Sequence, residues 1–354
     1  MTAVDAETDE PSNYEYVTTR VRMRKAQLYD EDDYRKLVRM EPNEIARFME
    51  ESSYGDEINR LGARHSGVDL IEYALYENMA RHFRDIVRWS KGSLKHHVVT
   101  YLRRYDAFDV KTVLRGIHTG ATEDEIRADL IPAGELGDDL LDELVEADAV
   151  EQVVEALAGT RYGEPLQEAS REYDDTGVLA PLETAVDRAY YRGLLGDDGE
   201  LASDGAVATY REFLRAEIDI TNVRNALRAA GSDDVDPDDY FVEGGDLFDR
   251  DELARLAENR EELLNALRDS GYGAMMEDAI EALEETDSLV AFDRALDRLL
   301  VQYSERMTNL NPLSIAPVIA YILAKEIEVT DIRGIARGRE AGLSVEEIEE
   351  EVVI

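Results

Sequence analysis

Six cations recur in pairs four residues apart: Lys111 and Arg115, Arg224 and Arg228, Arg333 and Arg337. A spacing of four places both members of a pair on one helical face, where together they can hold an anionic group. Two readings follow. In the first, the pairs serve their own chain: Glu217 and Glu326, seven residues upstream of Arg224 and Arg333, supply the counter-charges, and Asp109, Asn222 and Asp331 cap the helices. In the second, three equivalent basic faces surround an axis and bind a partner.

Groups suited to catalysis are not arranged for it. All five histidines fall between residues 65 and 118. His96-His97 has no glutamate at zincin spacing, and Glu77 and His82 stand five apart, the wrong spacing for a helical di-iron ligand pair. The histidines read as surface or packing residues. With 80 carboxylates, close acidic pairs arise by chance and carry no argument for acid–base chemistry. Gly271-Tyr-Gly273 lacks the third glycine and the preceding strand of a dinucleotide fingerprint, and no phosphate loop is present. The sequence predicts no catalytic residue, no metal site and no cofactor.

The basic pairs belong to a longer pattern of period about 110. Asp109-Val-Lys-Thr-Val-Leu-Arg115 recurs as Asn222-Val-Arg-Asn-Ala-Leu-Arg228 and as Asp331-Ile-Arg-Gly-Ile-Ala-Arg337. A helix start recurs as Ile71-Glu-Tyr-Ala-Leu75, Leu182-Glu-Thr-Ala-Val186 and Phe292-Asp-Arg-Ala-Leu296, and a Tyr-Gly pair at 54, 162 and 272. Self-similarity at fixed period decides architecture first. The first Tyr-Gly lacks the earlier markers, and the last helix start lacks a later Tyr-Gly. One unit is therefore split between the two chain ends, as a closed ring of three requires; an open solenoid caps its ends with atypical repeats.

The expected class is all-α. Leu70, Ile71, Ala74, Leu75, Met79, Phe83, Ile86 and Val87 form one apolar stripe, answered by Leu289, Phe292, Ala295, Leu296, Leu299, Leu300 and Tyr303. Asn43 reads as an N-cap, and Thr122…Glu125 and Ser344…Glu347 as capping boxes. Pro312–Ala324 is apolar but too short to span a bilayer, so it predicts a buried helix. Only Asp239-Tyr-Phe-Val242 is ambiguous between strand and helix. The expected organisation is an acidic disordered tail (1–13), an N-terminal half unit (14–69), complete units at 70–180 and 181–285, and a C-terminal half unit (286–354).

The net charge of −41 comes from 80 acids against 39 cations, of which only six are lysine. An acid coat with little lysine suits concentrated salt, where screening shortens repulsion to a few ångströms. It excludes nucleic acid as a partner, which needs a basic face. Residues 14–115 hold 19 cations and 17 acids (+2), whereas residues 116–354 hold 20 and 59 (−39). Either this asymmetry is incidental, or part of the near-neutral surface lies under a partner. Zero cysteine excludes disulfides and thiol chemistry. The N-terminus is acidic and polar, with no signal peptide.

The stretch Asn311-Pro-Leu-Ser-Ile-Ala-Pro-Val-Ile-Ala-Tyr-Ile-Leu-Ala-Lys-Glu-Ile-Glu-Val-Thr-Asp-Ile-Arg-Gly-Ile-Ala-Arg337 resembles the C-terminal signature of the C subunit of archaeal A-type ATP synthases, a family that includes the d subunit of vacuolar-type ATPases. Tyr34-Arg-Lys-Leu-Val-Arg-Met40, Glu44-Ile-Ala-Arg-Phe-Met49 and Asp109-Val-Lys-Thr-Val-Leu-Arg-Gly116 are similar to it as well. The resemblance implies a funnel-shaped, three-fold pseudosymmetric protein. It would be non-catalytic, seated on the membrane proteolipid (c/K) ring and receiving the D and F subunits of the central stalk. Such a protein is peripheral to the membrane at its cytoplasmic face, one copy per complex, and touches the membrane only through the complex. The rival readings are a helical-repeat scaffold for protein binding and an enzyme with a site across the three-fold axis. The split unit opposes the first and the missing motifs the second.

Overall fold

The computed structural model describes residues 10–195, 205–229, 241–286 and 289–349. In chain order the helices are α1 (Tyr14–Lys25), α2 (Glu31–Leu37), α3 (Pro42–Glu50), α4 (Gly55–Leu61), α5 (Gly67–Trp89), α6 (Gly92–Thr119), α7 (Glu123–Ala128), α8 (Asp138–Val145) and α9 (Val150–Ala156). They continue as α10 (Gly163–Thr176), α11 (Ala180–Leu195), α12 (Gly205–Ala229), α13 (Arg250–Ala257), α14 (Arg260–Arg268), α15 (Gly273–Thr286), α16 (Leu289–Leu310), α17 (Ala316–Glu340) and α18 (Val345–Glu349). Among the described residues no strand occurs, so the class is all-α as expected. Two long helices followed by short ones appear at α5–α6, α11–α12 and α16–α17.

The chain packs as two compact units. One contains residues up to Leu102, a short piece at 131–133, and Ser304 onward; the other contains most of the chain from Arg103 to Tyr303. In the first, α17 packs on α1, α3 and α5, and α5 also covers α3 and α4. Ile71, Leu75, Phe83, Val318, Ile319 and Ile322 are wholly or almost wholly buried there. The apolar Pro312–Ala324 stretch is a buried helix only in part: α17 starts at Ala316, with Pro317 in its first turn, where a missing N–H costs nothing, whereas Pro312 and Leu313 precede the helix and are exposed. In the second unit α10 packs on α11, and α13, α14 and α15 pack in succession.

Several expectations about helix ends are tested directly. The capping boxes at Thr122/Glu125 and Ser344/Glu347 form, with each glutamate accepting from the cap N–H at 2.8 Å. Asn43 is not a cap: α3 starts one residue earlier, at Pro42, whose fixed φ favours the first helical position, so Glu41 becomes the N-cap and its N–H donates to Glu44. Asp109, Asn222 and Asp331 do not cap either. They lie inside α6, α12 and α17 and are buried; Asn222 exchanges two 2.8 Å hydrogen bonds with the backbone of Val242. Asp239 and Tyr240 of the ambiguous stretch, the 231–239 acidic loop, the 196–200 turn and most of the tail lie outside the described residues.

The Tyr-Gly pairs share one local geometry. Ser52, Thr160 and Ser270, two residues before each tyrosine, donate their hydroxyls to the carbonyls of Met49, Leu157 and Leu267 at 2.7 Å. The same hydroxyls accept from the N–H of Tyr54, Tyr162 and Tyr272 at 3.2–3.3 Å. A new helix then starts at Gly55, Gly163 and Gly273. A Cβ at any of these glycines would press into the carbonyl oxygen five residues back. The turn is so tight that only glycine fits.

Candidate functional site

The six repeated cations all face acids of their own chain. Lys111 Nζ lies 2.6 Å from Asp187, and Arg115 pairs with Glu183. Arg224 reaches Asp293 at 3.0 Å and Asp297 at 2.7 Å, and Arg228 reaches Asp293 at 2.5 Å. Arg333 and Arg337 converge on Glu72 at 2.8 and 2.5 Å, with the Arg333 guanidinium 5.6 Å from the Tyr76 ring centre. In each case the clasp joins two long helices, α6 to α11, α12 to α16 and α17 to α5. Glu72, Glu183 and Asp293 occupy the same place in the recurring helix start. Glu217, offered from the sequence as a counter-charge to Arg224, accepts from Arg104 at 2.8 Å.

Within each pair the first cation is the inner one: Lys111, Arg224 and Arg333 are 20%, 25% and 36% exposed, against 54%, 58% and 56% for Arg115, Arg228 and Arg337. The outer arginines therefore hold their clasps while more than half exposed. Glu72, with 11% exposure, is the most enclosed acid of the three clasps. Glu72→Ala should lower stability by about 2 kcal/mol, because it removes one carboxylate shared by two arginines in a part-buried site. Glu183→Ala, losing one half-exposed partner, should cost under about 1 kcal/mol. Thermal melts at one fixed salt concentration check the order; equal effects would mean that Glu72 is no special closure.

A second set of three acids sits three residues before the Asp/Asn of the repeated element, wholly inside the helices. Asp106 Oδ1 accepts from the N–H of Glu135 and Leu136 at 2.8 and 2.9 Å. Asp219 accepts from Leu247 N–H at 2.9 Å and from Tyr272 Oη at 3.3 Å. Glu328 accepts from Tyr29 N–H at 2.6 Å and from Tyr54 Oη at 2.6 Å. Each acid thereby anchors the start of the short-helix segment. Burial pushes Asp106 and Asp219 up to about 6, against the lowering effect of the N–H donors. Glu328 has a further partner: Lys325, with no exposed surface, donates to it at 2.8 Å and to Tyr54 Oη at 2.7 Å. Burial lowers the Lys325 pKa, and Glu328 opposes that shift.

No group of acids or histidines that could hold a metal ion occurs among the described residues. His82 is buried, shares a 2.5 Å hydrogen bond with Tyr321 and is pushed down to about 2 by burial and by nearby Lys325. His97 is buried too and lies at about 4. Both are neutral packing residues. Among the described residues no helix is long and apolar enough to cross a membrane.

The sequence model of the ATP synthase (C/AC39) subunit family matches residues 17–351. The chain belongs to this family. It is 55% identical over 343 residues to a protein of Haloquadratum walsbyi named as the C subunit of the A-type ATP synthase, covering 96% of this chain and 98% of the relative. Proteins of the same name from Haloferax volcanii (53%) and Halobacterium salinarum (51%) each cover 97% of this chain and 98% of their own length. Family members this similar come from halophilic archaea, in keeping with the acidic, lysine-poor composition.

Proposed function

We propose that this chain is the non-catalytic central-rotor component of an A-type ATP synthase. It links the proteolipid (c/K) ring to the D and F subunits of the central stalk and so couples proton translocation to ATP synthesis. Family membership across residues 17–351 carries the reading. The recurring clasps and Tyr-Gly turns support its architectural part, three like units closed into a funnel-shaped ring at 14–69 with 286–354, 70–180 and 181–285. An adapter between a many-fold ring and a single stalk has to transmit torque without absorbing it. Close-packed helices braced by charge pairs have the low compressibility that this needs. The chain would ride with the rotor on the cytoplasmic face of the membrane as a peripheral protein, one copy per complex. The outward sides of Arg115, Arg228 and Arg337, with Lys111, Arg224 and Arg333 behind them, are the basic groups offered to a partner.

Removing this chain from the synthase tests the reading. The nucleotide-binding head should keep its ATP hydrolysis, while proton-driven ATP synthesis in vesicles should disappear. Normal coupled synthesis in vesicles that demonstrably lack this chain would defeat it.

A further inference from the structure

The outward face of α1 is built differently from the rest of this acidic surface. Its inner side buries Val17, Thr18 and Val21. Its outer side, with Trp89, forms an open groove of about 580 Å³ lined by Tyr16, Arg20, Met23 and Arg24. Tyr16 is 49% and Met23 66% exposed, both among the more exposed large apolar side chains of the described residues. The Arg20 guanidinium lies 4.7 Å from the Tyr16 ring centre and 4.8 Å from that of Trp89, and Arg24 stacks on Trp89 at 4.4 Å. These stacks fix the rings before anything binds, which lowers the ordering cost of an interface. Tyr, Trp, Met and Arg are the residue types enriched at interface centres.

Charge identifies the occupant. In a chain of net charge −41, α1 carries Arg20, Arg22, Arg24 and Lys25 against Glu15 alone. Arg24 is committed to Asp85 and to the His82 carbonyl, Arg22 donates to the Pro312 carbonyl, and Lys25 pairs with Glu305. Arg20 meets only rings among the described residues. One cation available within an aromatic groove suits one carboxylate. An anionic lipid surface is instead held by a cluster of several exposed cations.

We propose that the Tyr16–Arg20–Met23–Trp89 groove docks a polypeptide segment of another member of the complex, which places a large apolar side chain on Met23 and the aromatic rings and a carboxylate on Arg20. The proposal takes from the rotor reading only the complex in which that segment is sought. The chain has no cysteine, so Met23→Cys is a unique reporter. Its reaction with a soluble maleimide should be fast in the free chain and at least tenfold slower in purified synthase containing the same variant. A photocrosslinker at position 23 should join this chain to another polypeptide. Arg20→Glu should release the chain from the synthase at lower salt than the wild type, Arg20→Lys less so, with unchanged melting of the free chain. Full-rate labelling in synthase that retains the variant overturns the groove assignment and leaves the rotor reading standing. Protection that vanishes on delipidation means that lipid covers the groove, and slow labelling of the free chain means that the chain itself does; either overturns the proposal. A wild-type chain that fails to copurify with the synthase refutes the rotor reading, and the proposal falls with it.

Discussion

Glu328→Ala should cost about 3–5 kcal/mol of stability, the range for removing one side of a buried ion pair. The change takes an acceptor from three donors at once. Lys325, with no exposed surface, loses its carboxylate hydrogen-bond partner at 2.8 Å; Tyr54 Oη and the Tyr29 N–H lose an acceptor at 2.6 Å each. Its two counterparts lack such a lysine: position 216, in the place of Lys325, is alanine, and position 103 is an arginine that reaches outward to Glu135. The cost should therefore exceed that of Asp219→Ala. Lys325→Met together with Glu328→Gln should recover most of the loss, since methionine fills the lysine volume and the amide oxygen still accepts from Tyr29. Denaturant melts of the two singles and the double close the cycle. A double variant as unstable as the sum of its parts would show that charge pairing is not what this cluster supplies.

Transferring the purified chain from molar to millimolar potassium chloride should lower its melting temperature by on the order of 10 °C or more. Two effects compete. Dilution strengthens each clasp, because screening of the ion pairs weakens. It also lengthens the Debye distance from about 3 Å at 1 M to about 30 Å at 0.01 M, so that carboxylates on neighbouring helices repel. Repulsion wins on numbers: if every one of the 39 cations held a carboxylate, 41 of the 80 acids would remain without one. The weakest region should be the chain after residue 115, where nearly all of the excess lies. Circular dichroism across a salt series measures the shift. A melting temperature unchanged from molar to millimolar salt would contradict the halophilic reading of the composition.

The helical class, the buried start of α17 and two capping boxes were legible because each rests on local pattern: apolar periodicity or a three-residue cap. The outer limits of the clasps were legible too, since both the cations and the acids lie in the recurring elements. Their pairing was not. Local spacing suggests counter-charges on the same helix, as with Glu217, whereas the clasps join residues 65 to 265 positions apart. The anchoring acids Asp106, Asp219 and Glu328 were hidden for another reason. Among 80 carboxylates only burial marks them, and burial is a property of the packed chain. A signal did exist: each stands three residues before the Asp109, Asn222 and Asp331 positions, in the same register. The groove on α1 left a fainter trace, in the near-neutral charge of residues 14–115.

The pairing of Glu72 with Arg333 and Arg337 also sets an order of events at the ribosome. Residues 10–102 form their compact unit with α17, so their apolar faces have no finished partner until α17 has been made. The other unit is nearly continuous in sequence from 103 to 303 and can close while synthesis proceeds. At about 5–20 residues per second, the first hundred residues wait roughly 10–40 s for their partner helix. During that interval the nascent N-terminal segment is the part of the chain that needs chaperoning. Protease digestion of ribosome-bound chains halted before and after α17 should show the N-terminal segment cut in the first and protected in the second.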